Sequence, residues 1–455
     1  MADEQRRATV IVLAYNNETL LPACLDALRR SAMAAGSFET WVVDNASVDA
    51  SAAVVERDYP EVRLIRSPVN LGFAGGNNLA LRQVQTPYAV LLNSDAVAEP
   101  DYLVNVLAPF DQPGNEQLVA VTPKIVFAPR FLRLQLATAG FVPGPQDPRD
   151  LGVRIHSILV DDREVTPRVL WESLTYGPEG PPAAHFRWTR PSGEFLIPVA
   201  TGGHRLSRPV CLRVTWAAEA AKTVRLEWPG GGAELSVTGE PTTVTVELPA
   251  GTPVVDVVNN AGGIVLADGY GADRGYQAVD EGQYDEPVEV FGVCGNGVAF
   301  RTWAGREVGW FDDDFFLYYE DTDLSWRLRS RGWSIRYEPS ALVRHIHSAS
   351  TEEFSPLWLF HVDRNRLLML TKEASWRLAL PQLLRYPLTT ASMGLRALRQ
   401  GLHERRRPPL RRQVLQLRVL LSFLRLLPSM LRRRREIGRT ARVGRRQLEQ
   451  WLTRR

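Results

Sequence analysis

Apolar and polar positions follow two different rhythms along this chain. From residue 8 to 127, short apolar runs alternate with stretches at helical spacing: Val10 to Leu13, then Leu20 to Arg30; Thr40 to Val43, then Ala50 to Arg57; Val62 to Ile65, then Asn78 to Val84; and last Tyr88 to Leu92. Continuous apolar runs suit parallel strands covered on both faces, so this βαβαβαβ order predicts an open, mostly parallel α/β sheet. Ligands of such sheets sit beyond the carboxyl ends of the strands.

From about 141 to 258 the period shortens to two. Val210-Leu212-Val214-Trp216, Val224-Leu226-Trp228 and Val244-Val246-Leu248 alternate with polar residues, and Pro/Gly-rich turns punctuate them. That pattern predicts an antiparallel β-sandwich, whose Trp171, Trp188, Trp216 and Trp228 belong in its core more readily than in a sugar-stacking platform. The α/β character returns with a small-residue strand from Glu289 to Phe300 and short strands at Ser334 to Tyr337 and Ala341 to His347. From Leu357 onward the pattern is helical, with Pro381, Pro387, Pro408, Pro409 and Pro428 expected to break it.

Charge sharpens this division. The chain totals +3, yet residues 396 to 455 hold 19 arginines, no lysine and three glutamates, a net of +16 that leaves −13 on the rest. An acidic body with a basic tail points to a polyanionic partner for the tail. Leucines interleaved with the arginines favour a membrane surface over nucleic acid, with helices lying in the interface. The run Val419 to Met430, interrupted by Arg425 and Pro428, reads as too short and too charged to span a bilayer. Cys24, Cys211 and Cys294 lie far apart, which argues against a zinc knuckle or a disulfide scaffold, and the charged Met1 to Arg7 offers no apolar signal-peptide core. A cytoplasmic protein, peripheral on the inner membrane face, is expected.

Candidate chemistry gathers at the strand ends. Tyr15-Asn16-Asn17 follows the first strand, Asp44-Asn45-Ala46-Ser47 the second, and Asn93-Ser94-Asp95 the fourth. Between the third strand and its helix, Asn70 to Asn78 carries three glycines that let backbone approach a ligand, without the GK[ST] of a Walker loop. Farther on, Phe315 to Tyr319 leads into Glu320, Asp321 and Asp323, three carboxylates crowded at a helix start. Such crowding beside aromatics serves a cation, a polar substrate or a proton, or else a helix cap and surface charge. His345 and His347 share strand parity, and one of them as a ligand is more plausible than two.

These motifs, in this order, resemble inverting family 2 glycosyltransferases of the GT-A fold, in the bacterial rhamnosyltransferase-like branch. The resemblance covers residues 8 to 139 and 259 to 350. It implies an α/β GT-A catalytic domain in two halves, 1–140 for the nucleotide and 259–350 for the acceptor, separated by an inserted β-sandwich at 141–258 and followed by basic amphipathic helices at 351–455. By the same resemblance, Tyr15 and Asp44 hold the nucleoside and Asn77 lies near sugar and diphosphate. Asp95 matches the last acid of the DxD motif and binds Mg or Mn, with His345 completing the metal site. Asp321 is the base that deprotonates the acceptor hydroxyl, Glu320 contacts the acceptor, and Asp323 serves as a helix cap. The implied partners are a nucleotide-sugar donor, with dTDP-rhamnose or a UDP-sugar as the guess, and a lipid-linked or polysaccharide acceptor. The competing expectation is a non-catalytic glycan-binding or scaffold protein.

Overall fold

The structure, a computed structural model, describes residues 6–34, 36–171, 174–181, 185–346, 355–404 and 410–454. They form two compact units. The first comprises Met1–Ala128, Asn259–Tyr276 and Gly282–Arg455, and the second Pro129–Val258 with Gln277–Glu281.

In the first unit β1 (Ala8–Ala14), β2 (Phe38–Asp44), β3 (Arg63–Arg66) and β4 (Tyr88–Asn93) run parallel in the spatial order β4-β1-β2-β3. Beyond β4 the sheet turns mixed. It continues through β8 (Ala299–Arg301), antiparallel to its neighbours, then β6 (Leu118–Phe127) and β9 (Ser334–His345), to the edge strand β7 (Val288–Glu289). The short β5 (Ala96–Ala98) pairs antiparallel with β9. Helices α1 (Leu21–Arg29), α2 (Ser51–Asp58), α3 (Gly72–Leu81) and α4 (Tyr102–Asp111) connect the early strands. Val10, Val12, Val42, Val90 and Leu92 meet Leu21, Leu25, Val106 and Leu107 in one core cluster, and Ile11, Val43 and Leu91 on the opposite face are buried as well, the two-sided burial expected of a sheet covered by helices.

Two expectations change here. Helix α3 begins at Gly72, six residues before the helical spacing becomes visible in the sequence. Gly72 takes φ +69°, and a Cβ there would overlap the Phe316 carbonyl and ring, so only glycine admits this approach. The span Glu289 to Phe300 is two short strands flanking a loop with Gly292, Gly295 and Gly297, rather than one strand.

The second unit is a pair of antiparallel sheets. One orders Thr175–Glu179, Phe186–Thr189, Arg154–Val160, Val210–Ala217 and Thr242–Leu248; the other orders Ser192–Val199, Arg130–Thr138, Lys222–Trp228 and Gly231–Val237. The strand Arg130–Thr138 thus lies with the sandwich, ahead of residue 141. Trp216 and Trp188 are buried, and Trp171 and Trp228 pack against the apolar core, as tryptophans of a sandwich are expected to do.

The C-terminal helices α7 (Pro356–Glu373), α8 (Trp376–Glu404) and α9 (Arg411–Thr440) belong to the first unit. Helices α8 and α9 run through Pro381, Pro387 and Pro428 instead of breaking at them. Each proline removes one intrahelical bond, and Pro381 and Pro428 are exposed, where water serves the freed carbonyl. Pro408 and Pro409 lie outside the described residues. Helix α7 is buried along most of its length, with Leu367 to Leu370 in a cluster with Trp326, Val419 and Phe423.

Its last turn carries a buried cation. Lys372, 1% exposed, places Nζ 2.6 Å from Asp312 and 2.6 Å from Asp323, which is itself fully buried and pairs with Arg327 at 2.9 Å. Asp323 is therefore an internal counter-ion and not the expected cap; the residue before its own helix, Glu320–Ser330, is Tyr319, which makes no side-chain cap bond. Removing one partner of a buried ion group strands the others. Lys372→Met is expected to destabilise the first unit by about 3–5 kcal/mol, read as a lowered urea midpoint; an unchanged midpoint would show the pair to be dispensable.

Candidate active site

The sheet brings its strand ends level. Ala14 pairs with Asp44 across β1 and β2, and Leu13 with Asn93 across β1 and β4, so the polar residues that follow all open on one edge. Tyr15 stands there 38% exposed. Asp44 is buried and its Oδ1 accepts the Ser47 N–H at 3.1 Å, which holds the turn after β2. Asn45, which the sequence reading left without a role, is the knot of this edge. Its amide donates to Asn70 Oδ1 at 3.0 Å and the Gly72 carbonyl at 3.1 Å, while its Oδ1 accepts the Leu71 N–H at 2.9 Å. Asn77 is buried on α3 with its amide turned back to the Phe73 carbonyl, 2.9 Å away.

Beyond β4, Asp95 and His345 meet, with His345 Nε2 3.2 Å from Asp95 Oδ1. The other ring nitrogen, Nδ1, lies 3.1 Å from Asn259 Oδ1, and an Nδ1–H donated there makes Nε2 the acceptor facing Asp95. A carboxylate oxygen and an imidazole acceptor side by side fit a small divalent cation that takes its remaining ligands from a diphosphate. Among the described residues no group of three or more His, Cys, Asp or Glu forms a complete metal site, which agrees with the single acid of Asn93-Ser94-Asp95. His347 lies outside the described residues.

Asp321 sits half-buried in the first turn of α6 (Glu320–Ser330). Its Oδ2 accepts the Gly295 N–H at 3.2 Å and its Oδ1 accepts the Thr322 N–H at 2.6 Å. The next residue after Gly295, Asn296, accepts the Asn93 N–H at 3.1 Å, so two adjacent residues tie the end of β4 to the Asp321 carboxylate. Burial raises the Asp321 pKa above the usual carboxylate range, against those hydrogen bonds. Burial and then the Asp321 charge push Glu320 much higher, and its Oε2 has no hydrogen-bond partner among the described residues. The two neighbouring carboxyls are thus both pushed up, Glu320 farther than Asp321, a separation of the kind found where titratable groups share a functional site.

Residues 9–164 match the family model described as Glycosyl transferase family 2. The chain carries a family 2 glycosyltransferase domain. Its first unit has the GT-A-type fold, to which the antiparallel sheets and the C-terminal helices are additions. The chain is 36% identical over 111 residues to the N-acetylglucosaminyl-diphospho-decaprenol L-rhamnosyltransferase of Mycobacterium tuberculosis (strain ATCC 25618 / H37Rv), which covers 24% of this chain and 36% of that protein. It is 31% identical over 93 residues to the teichoic acid poly(glycerol phosphate) polymerase of Staphylococcus epidermidis, which covers 20% of this chain and 13% of that one. The chain thus spans about a third or less of the length of these curated relatives. Among solved structures, S. aureus TarS 1-349 in complex with UDP aligns over 98% of this chain and 90% of its own at 13% identity and a TM-score of 0.39.

The glycosyltransferase domain inherits a simple test from its carboxylates. The resemblance makes Asp321 the expected base; a base works only when deprotonated, so in that role the rate should fall as pH drops through the Asp321 pKa, a limb that burial sets above the ordinary carboxylate range. Asp321→Asn should cost roughly 10²–10⁴-fold in turnover while nucleotide binding, followed by calorimetry, persists. Near wild-type transfer by that variant removes Asp321 from the role.

Proposed function

We propose that the first unit transfers a sugar, with inversion at the anomeric carbon, from a nucleoside-diphosphate sugar to the hydroxyl of a lipid-linked or polymeric glycan. The observation that carries this reading is Asp321: a half-buried carboxylate, oriented by the Gly295 N–H and set one residue away from the contact that fixes the end of β4. Tyr15 and Asp44 receive the nucleoside, and Asn77 lies on the helix that borders the diphosphate. Asp321 takes the proton of the acceptor hydroxyl as its oxygen forms the new bond to the anomeric carbon, and the bond to the diphosphate oxygen breaks. Glu320, buried beside it, contacts the acceptor. Asp95 and His345 would hold a divalent cation, Mg or Mn, which when bound would supply positive charge to offset that of the leaving diphosphate.

The relatives favour dTDP-rhamnose or a UDP-sugar as donor and a polyprenyl-diphosphate-linked acceptor in cell-envelope polysaccharide synthesis. Turnover against a panel of dTDP-, UDP- and GDP-sugars tests the reading, with EDTA added to each reaction that works. Transfer abolished by EDTA and restored by Mn or Mg is the expected result. Transfer that ignores EDTA sinks the metal assignment, and no turnover of any donor favours a binding or scaffold protein.

A lipid-linked acceptor puts the enzyme at a membrane, and α8 and α9 suit that location. Helix α9 holds an 18-residue stretch of mean hydropathy 1.5, of which 22% is buried, so by length and composition it is apolar enough to cross a membrane; the sequence reading undercounted it by starting at Val419. Val419, Phe423 and Met430 are nevertheless packed in the core of the first unit, while Val414, Leu417, Leu421 and Leu424 are exposed. Arg411, Arg418, Arg425 and Arg432 recur every seven residues, a spacing that drifts only about 20° per repeat and lines them along the leucine stripe. On α8, Leu380, Leu384, Leu388, Leu395, Leu398 and Leu402 are exposed in the same manner. Apolar stripes bordered by arginine suit helices lying in the headgroup region of an anionic leaflet, at roughly 1 kcal/mol for each arginine at the surface. The protein should co-sediment with phosphatidylglycerol vesicles and release them on Leu421→Asp/Leu424→Asp substitution; equal binding to neutral vesicles in high salt would remove the arginines from the account.

A further inference from the structure

The backbone that presents Glu320 and Asp321 is bent into conformations that side chains seldom adopt. Phe316 lies at φ 63°, ψ −63°, and Tyr318 and Tyr319 have φ of 67° and 70°. The Leu317 N–H donates to the Phe315 carbonyl at 2.7 Å, which closes a γ-turn of the rare strained hand. Three non-glycine residues of four in this region store strain that persists only where surroundings over-determine it.

The surroundings come from α7. Asn365 is fully buried, and its amide nitrogen lies 2.8 Å from the Phe315 carbonyl, 2.8 Å from that of Leu317 and 2.7 Å from that of Tyr318. Its Oδ1 accepts the Arg364 Nε–H at 2.9 Å, and Arg364 in turn donates to the carbonyls of Asp314, at 2.9 Å, and Phe315, at 3.0 Å. One turn earlier the His361 ring stacks on Phe316, with centroids 5.2 Å apart and planes at 19°. Burial pushes His361 down to about 4, so near neutral pH it is an uncharged plate against an aromatic ring. On the other side, the Phe316 carbonyl accepts the Ala74 N–H at 3.2 Å and Phe316 covers Gly72, so the same loop is seated on the first turn of α3.

We propose that Asn365, braced by Arg364, is a positioning residue for transfer: it clamps the strained Phe315–Tyr319 backbone and thereby fixes where α6 starts and where Asp321 stands. The part about transfer rests on the function proposed above; the part about the clamp does not. No motif of the strand ends contains these residues. Their place in the reaction follows only from α7 crossing the loop. A base displaced by an ångström loses much of its effect, since reacting atoms must approach at about 3–3.5 Å.

The test uses the full chain with Asn365→Leu, which keeps the bulk and removes the donors, and Arg364→Gln as a second variant should the first fail to fold. Hydrogen exchange of the 314–320 segment should speed at least tenfold while the strands β1 and β4 stay protected. With dTDP-rhamnose, or the nucleotide sugar turned over in the panel, kcat should fall roughly 10–100-fold with donor KM within about twofold. The acid limb of kcat should move to lower pH, because a looser loop lets water reach Asp321 and returns its pKa toward the ordinary value. A folded variant with wild-type loop exchange overturns the clamp whatever the activity. Faster loop exchange with unchanged kcat and pH profile overturns the positioning role. A wild-type enzyme that transfers no sugar would sink the proposed reaction, and the exchange measurement would still decide the clamp.

Discussion

Lys372 is the residue on which the aromatic loop of the first unit and the start of α6 hang. A primary ammonium taken out of water costs several kcal/mol unless the surrounding charge repays it, and here two carboxylates do so from opposite ends of one segment. Asp312 precedes the aromatic loop and Asp323 follows it. Burial by itself would raise the Asp312 pKa, but the charges of Lys372 and Arg433 outweigh it and hold it well below the usual range. Above that range the contribution to stability is complete, and it is lost only as pH falls through the depressed value. The cation therefore closes residues 312 to 323 into a loop of fixed span, inside which the strained turn and the base are arranged.

That closure explains the crowding of acids at the start of α6. Glu320, Asp321 and Asp323 look interchangeable as letters, yet each meets a different environment. Asp323 faces a lysine and an arginine; Asp321 receives two backbone N–H groups; Glu320 receives none for its Oε2 among the described residues. Helical geometry makes the division, since residues 100° apart on one turn point at different neighbours.

Much of this was legible beforehand. Continuous apolar runs from Val10 to Leu92 fixed the parallel part of the sheet because two-sided burial leaves no alternation, and the strand ends followed from the same pattern. The period-two stretch announced the sandwich and the burial of Trp216. Other features depended on contacts far apart in sequence. Helix α3 starts at Gly72 because Phe316, more than two hundred residues away, sits on it. Asp323 was misjudged because its lysine lies on another helix. Local rules place breaks at the prolines of α8 and α9 by counting the lost bond, yet with Pro381 and Pro428 exposed the helices run through them. Arg364-Asn365-Arg366 amid an apolar helix was the one overlooked signal: three polar residues in a buried stretch need partners inside the protein, and Asn365 finds the loop.

The discontinuity of the first unit has a consequence in time. Strand β6 ends at Phe127 and pairs in parallel with β9, whose last residue is His345, and the clamp on α7 comes later still. During synthesis, which proceeds at about 5–20 residues per second, the first four strands leave the ribosome well before the segment that positions the base. A contact between residues so distant in sequence also closes slowly, because its entropy must be lost before its bonds form. The strands that present Tyr15, Asp44 and Asp95 are thus made long before Asp321, and a nascent chain lacks the proposed clamp until α7 has been made and has found its loop.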